Sequence, residues 1–212
     1  MTKIGMIFDL DGTLADTLDY CVLSFQDSHE KITGIRPTYE QVITYFGVSE
    51  EGIAKSLLPE KSELFVNTYM QVYSEYLKSC GGLFDGITDI LDILKAKNIK
   101  ISMVTGKGAQ SAEITLDKFG IKHYFEHIET GSMNGSIKPK CIDKIVKNWD
   151  LSKENIYYVG DQPSDIRDSM LAGVKPIAVS WAKTSDYGLL KQHNPHLLFS
   201  EISDFKNWIL TL

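Results

Sequence analysis

Short uninterrupted apolar runs alternate with helical stripes along most of this chain. Ile4 to Phe8 is the first run, and Ile99 to Val104, Ile156 to Val159 and Pro176 to Ser180 repeat the theme. A weaker run spans Phe125 to Glu129 and precedes a Gly-Ser-Asn loop. Runs of this length without polar alternation predict strands buried on both faces of a parallel sheet. Between them, apolar residues recur at helical spacing. Ile87, Ile90, Leu91 and Leu94 form one stripe, and Ala112, Leu116 and Phe119 a second that stops at Gly120. Ile142, Ile145, Val146 and Trp149 form a third, and Ile166, Met170 and Leu171 a fourth that stops at Gly173. Strands that alternate with helices predict right-handed crossovers and a doubly wound α/β sheet.

The stretch from about Asp16 to Gly82 breaks this rhythm. It holds no convincing strand, but helical stripes recur at Val22, Phe25 and His29, at Val42, Tyr45 and Phe46, and from Leu64 to Leu77. Gly34, Gly47, Pro59 and the Gly81-Gly82 pair divide it into four predicted helices. A helical module therefore sits between the first strand and the rest of the sheet. There is no internal repeat and no low-complexity segment.

Composition narrows the function classes. At 212 residues the chain is long enough for one or two domains with a full core. Lys and Arg number 22 against 28 Asp and Glu, a formal net charge of −6, which argues against a surface for nucleic acid or anionic membrane. Cys21, Cys80 and Cys141 are scattered without paired spacing and read as apolar residues of a reducing compartment. No apolar stretch approaches the ~20 residues of a membrane span. The Met1-to-Asp9 segment is too short an apolar run for a signal peptide, so a cytoplasmic location is expected.

The chemistry lies where the apolar runs end. In open parallel sheets, ligands bind beyond the carboxyl ends of the strands, and Asp9, Asp11, Thr105 and Asp161 all fall there. Asp9 and Asp11 are two residues apart, a spacing that points both side chains to one side of an extended segment. Two carboxylates so close repel, which favours a bound cation or a shared proton. An oxygen-rich set of this kind suits Mg²⁺.

These residues resemble the four motifs of the haloacid dehalogenase superfamily of aspartyl-phosphate-forming phosphohydrolases. Asp9-Leu-Asp-Gly-Thr-Leu is similar to the first motif, Thr105-Gly106 to the second, Lys138-Pro139 to the third, and Gly160-Asp161-Gln-Pro-Ser-Asp165 to the fourth. The resemblance spans the chain and implies a Rossmann-like core at 1–14 and 84–212. It also implies an inserted α-helical cap at 15–83, with hinges at Ala15-Asp16-Thr17 and Ser79 to Leu83.

It implies roles as well. Asp9 becomes the nucleophile and Asp11 the general acid and base. Thr105, Gly106 and Lys138 bind the phosphoryl group, with Lys138 also orienting Asp9. Mg²⁺ is held by the Asp9 carboxylate, the Asp11 carbonyl and Asp161, with Asp165 in the outer shell. An acid at position 11 favours phosphate esters over carbon–halogen bonds, and Thr13 favours a phosphatase over a sugar-phosphate mutase. The implied function is Mg²⁺-dependent hydrolysis of a small phosphorylated metabolite, with phosphoglycolate as default and sugar phosphates, nucleoside monophosphates and pyrophosphate open. The alternatives are the mutase and a non-enzymatic phospho-accepting regulator. For substrate recognition, Arg36, Lys55 and Lys61 are the basic candidates of the insertion and Lys107 a candidate beside the second motif. Tyr69, Tyr73 and Tyr76 read as packing, and so does Trp181.

Overall fold

The structure is a computed structural model that describes residues 3–212. Six strands form one parallel sheet: β1 (Gly5–Phe8), β2 (Lys100–Val104), β3 (Ile128–Glu129), β4 (Ile156–Gly160), β5 (Lys175–Val179) and β6 (Leu197–Phe199). Their spatial order is β3-β2-β1-β4-β5-β6, so the winding reverses at β1 and opens a crevice beyond its carboxyl end. Met6 pairs with Ile101 on one side and Tyr157 on the other, which fixes the register of the three central strands.

Alternation along β1 explains why its apolar run is unbroken. Met6 and Phe8 enter one core with Ile87, Ile90 and Leu94 of α5 (Ile87–Ala96) and Phe205 and Ile209 of α10 (Ile202–Thr211). Ile7 points the other way, toward Ile142, Ile145 and Trp149 of α7 (Lys138–Trp149). Each fully buried side chain of this size contributes about 1.5–3 kcal/mol, so the two layers hold the strand ends rigid. Two further helices, α6 (Ala109–Phe119) and α8 (Pro163–Ala172), end as predicted at Gly120 and Gly173, both left-handed.

Residues 18–77 form α1 (Leu18–Thr33), α2 (Tyr39–Ile43), α3 (Glu50–Leu57) and α4 (Ser62–Leu77), the four helices that the punctuation predicts. Val22, Phe25, Val42, Phe65, Tyr69 and Tyr73 pack together in a core of their own. The two connections to the sheet lie side by side. Asp16 N–H donates to Gly82 O at 3.2 Å, and Phe84 N–H to Leu14 O at 3.1 Å.

Three differences from the sequence reading have local causes. Phe125 is not in a strand: it follows a short 3-10 turn at Lys122–Tyr124 and packs into the core, leaving only Ile128–Glu129 as β3. The edge strand β6 was unforeseen because its three residues are all half-buried, and so were α9 (Tyr187–Gln192) and α10. Lastly, Asp9 and Asp11 do not lie on an extended segment, although both line one cavity. The chain leaves the extended form after Phe8, with the Leu14 and Ala15 amides folded back on Leu10 O and Gly12 at φ +77°, so period-2 alternation no longer applies.

Candidate active site

Three strand ends and two helix starts converge beyond the carboxyl edge of the sheet. Asp9 follows β1, Thr105 follows β2, Asp161 follows β4, Lys138 opens α7 and Asp165 lies in the first turn of α8. Lys138 sits between two of the carboxylates, 2.7 Å from Asp9 Oδ2 and 2.5 Å from Asp165 Oδ1. The Leu10 amide donates to Asp9 Oδ1 at 2.8 Å, and the Gln162 amide to Asp165 Oδ2 at 3.0 Å. Among the described residues Asp161 has only neutral donors: Gln162 Nε2 at 2.6 Å, Ser185 Oγ at 3.1 Å and Thr13 Oγ1 at 3.3 Å. Trp181 both joins the core and donates from Nε1 to Thr13 O at 3.0 Å, which steadies the segment that carries Thr13.

This arrangement carries too much negative charge for its own cations. Asp9, Asp161 and Asp165 are all buried, with one oxygen of each within 4.8 Å of the others, and Lys138 is the one cation paired with them among the described residues. Burial raises the Asp9 carboxyl to about 6, the Lys138 charge opposing the rise and the Asp165 charge adding to it. Burial, then the charges of Asp165 and Asp9, push Asp161 up to about 7. Desolvation works against the Lys138 ammonium, but Asp165 and Asp9 outweigh it and hold the group well above the usual lysine range. Three hard oxygen donors against one ammonium are a donor set suited to a divalent cation such as Mg²⁺. Gly12 keeps the approach open: a Cβ there would collide with the Asp161 carboxylate, and its positive φ already favours glycine.

Asp11 belongs to a second cluster on the helical side. Its Oδ1 accepts from Thr17 Oγ1 at 2.5 Å, and its Oδ2 lies 3.5 Å from Lys107 Nζ. Lys107 is buried; it also donates to Cys21 Sγ at 3.0 Å and stands 4.1 Å above the Tyr73 ring. Burial and the Asp11 charge push the Cys21 thiol up to about 12, so it stays protonated and unreactive. Beside this cluster, Glu50 of α3 accepts from Gly108 N at 2.7 Å and Ser111 Oγ at 2.5 Å, at the start of α6. A negative charge on a helix N-terminus is favourable, and this one joins the helical insertion to α6, which flanks the sheet.

Both clusters open on a cavity of about 740 Å³, lined by Asp9, Asp11, Thr105, Gly106, Lys107 and Lys138 on the sheet side. Thr105 Oγ1 accepts from the Lys107 amide at 3.2 Å. The expected site residues are thus brought together, with Lys107 added. Glu50 and Thr17 were not foreseen: Glu50 meets its partners only across the fold, and Thr17 reaches Asp11 only because the chain turns back between them. Of the insertion's basic residues, none lines the cavity: Arg36 pairs with Asp27 and Glu30, Lys61 donates to Ile32 O, and Lys55 is exposed elsewhere. Tyr73 and Tyr76 pack and bond within the fold as read, to Thr115 and Asp27, whereas Tyr69 also reaches the cavity. Among the described residues, no helix is long and apolar enough to cross a membrane.

Known proteins share this architecture. The model of the haloacid dehalogenase-like hydrolases matches residues 6–179. A protein of Caldanaerobacter subterraneus subsp. tengcongensis, provisionally named pyrophosphatase PpaX, is 30% identical over 205 residues, covering 95% of this chain and 92% of its own. A Clostridium perfringens protein of the same provisional name is 30% identical over 179 residues, 84% of each chain. A crystal structure from Haemophilus somnus, described as a predicted phosphoglycolate phosphatase, superposes with a TM-score of 0.82 over 100% of this chain and 99% of its own. At 21% identity it speaks for the fold alone. Match, fold and clustered motif residues agree, and the chain belongs to the haloacid dehalogenase-like hydrolase family, as one of its phosphatases.

Proposed function

We propose that this protein hydrolyses a small phosphomonoester through a phosphoryl group carried on Asp9. The observation that carries the reading is Lys138 held between Asp9 and Asp165, beside Asp161, at the carboxyl edge of the sheet. Asp9 attacks phosphorus while the bond to the alcohol oxygen breaks, and Asp11 gives that oxygen a proton. Asp11 then takes a proton from water, the water oxygen attacks phosphorus, and Asp9 leaves as a carboxylate with release of phosphate. Lys138, Thr105 Oγ1–H and the Gly106 amide face the charge on the phosphoryl oxygens, where stabilisation contributes most. The residues that would hold Mg²⁺ are Asp9, the Asp11 carbonyl and Asp161, with Asp165 oriented on Lys138. The ion would supply positive charge to the phosphoryl oxygens.

The insertion at 15–83, in this reading, is a cap over a core at 1–14 and 84–212. The side-by-side connections at Asp16–Gly82 and Leu14–Phe84 are where it would hinge. Three free thiols suit the cytoplasm, the compartment we assign. The PpaX relatives make pyrophosphate one substrate to try. Phosphate release from a panel of phosphorylated compounds, with and without Mg²⁺, tests the reading. Metal-dependent release is expected, and Asp9→Asn, which barely changes volume, should abolish it; full activity in that variant would contradict a covalent role for Asp9.

A further inference from the structure

The cavity has two unlike walls. Its phosphate end is the polar cluster of Asp9, Asp11, Thr105 and Lys138. Its opposite wall, contributed by the helical insertion, is Leu18, Tyr39, Ile43, Phe46, Val48 and Ile53. Ile43 is 40% exposed although it lies on the short helix α2, so this wall presents apolar surface that the described residues leave partly uncovered. The volume of about 740 Å³ falls within the roughly 300–1,000 Å³ of sites that enclose whole drug-sized ligands, well beyond what a bare phosphate or a two-carbon acid would fill.

The charges around that wall are already engaged. Lys107 pairs with Asp11 and covers Tyr73; Glu50 is bound to Gly108 and Ser111. On the sheet side, Asp168 accepts from Ser136 at 2.7 Å, and Lys183, which pairs with no acid among the described residues, is exposed to water. A second anionic group on the substrate would be pressed against apolar side chains with, among the described residues, no buried cation free to meet it, which is costly. An uncharged body would instead bury apolar surface against the same wall.

Resting on the phosphatase reading above, we infer that the substrate is a phosphomonoester of an uncharged alcohol with an aromatic or aliphatic body. Diphosphates and phosphorylated acids fit the wall poorly. The test compares kcat/KM for phenyl phosphate, phosphoglycolate and pyrophosphate in the wild type and in Ile43→Arg, which adds a cation to the wall at an already exposed position. Phenyl phosphate should lead by at least about tenfold, the scale on which an apolar pocket discriminates, and Ile43→Arg should narrow that lead by raising the two anionic substrates. If phosphoglycolate or pyrophosphate equals or exceeds phenyl phosphate in the wild type, the inference is overturned while hydrolysis stands. An unchanged lead in Ile43→Arg would remove the wall from substrate selection and overturn it too. Release of phosphate from none of the three would overturn the phosphatase reading itself, and the inference with it.

Discussion

Two lysines are buried within the same cleft, and their surroundings separate what each can do. Lys138 lies between two carboxylates at the sheet edge and over the Tyr158 ring, all partners from the strands and helices of the sheet region. Lys107 lies between Asp11, the Cys21 thiol and the Tyr73 ring, so it ties the end of β2 to two helices of the insertion. Both are held above the ordinary lysine range because neighbouring acids outweigh burial. The same residue type thus binds a pair of carboxylates in one place, where we propose it faces the transferring charge, and joins two parts of the chain in the other. Burial and charge alone do not tell such groups apart; the identity and origin of the partners do.

The comparison breaks most visibly at Lys138. Lys138→Met keeps most of the side chain's length and removes its charge, and kcat should fall by on the order of 100- to 1,000-fold, as for loss of one transition-state donor. A kcat within a few-fold of wild type would remove Lys138 from the phosphoryl site.

A smaller effect is expected on stability. Asp9 and Asp161 are raised from an ordinary value of 3.8 to about 6 and about 7. Between these limits the folded chain binds more protons than the unfolded one, so stability should fall as pH rises from about 4 to 7 and then level off. In metal-free protein, Asp161→Asn should flatten that fall and give a higher Tm at pH 8. The scale is on the order of 2–4 °C for each kcal/mol at this chain length. Mg²⁺ should raise the Tm of the wild type at pH 8 and raise that of the variant less. Equal Mg²⁺ responses would place the cation elsewhere.

Lys107→Met should give the smallest loss, about 10- to 100-fold in kcat/KM, the range for groups that orient other ligands. Its signature is a raised KM with part of kcat kept, because the group acts through Asp11 and the insertion. A collapse of kcat equal to that of Lys138→Met would erase the distinction between the two lysines. By contrast, Arg36 sits in an exposed ion pair, of a kind that contributes about 0–1 kcal/mol, and lines no part of the cavity.

What was legible in the sequence follows the same division. The central strands announce themselves because burial on both faces leaves no polar positions in Ile4 to Phe8 or Ile156 to Val159, and the polar residues that end them stand out by contrast. Asp9, Thr105, Lys138, Asp161 and Asp165 could be matched because each lies beside a strand end or helix start. Strand β6 and helix α9 escaped because they are short and half-exposed, with no period to read. The partners of Asp11 escaped for another reason. Thr17 reaches Asp11 through a turn of the chain, Cys21, Lys107 and Tyr73 meet only through packing between elements, and Glu50 reaches Gly108 across 58 positions. Lys107 alone had a signal, its place directly after Thr105-Gly106.

The central claim is that Asp9 carries the phosphoryl group, and trapping that adduct tests it most directly. Wild type, Asp9→Asn and Asp11→Asn would be quenched during turnover of phenyl phosphate, treated with borohydride to reduce any acyl phosphate, and mapped by peptide mass spectrometry. The expected result is homoserine in place of Asp9 in the wild type, more of it in Asp11→Asn where breakdown is slowed, and none in Asp9→Asn. Turnover with no modification at Asp9 in either the wild type or Asp11→Asn, or with the adduct on another residue, would contradict the account.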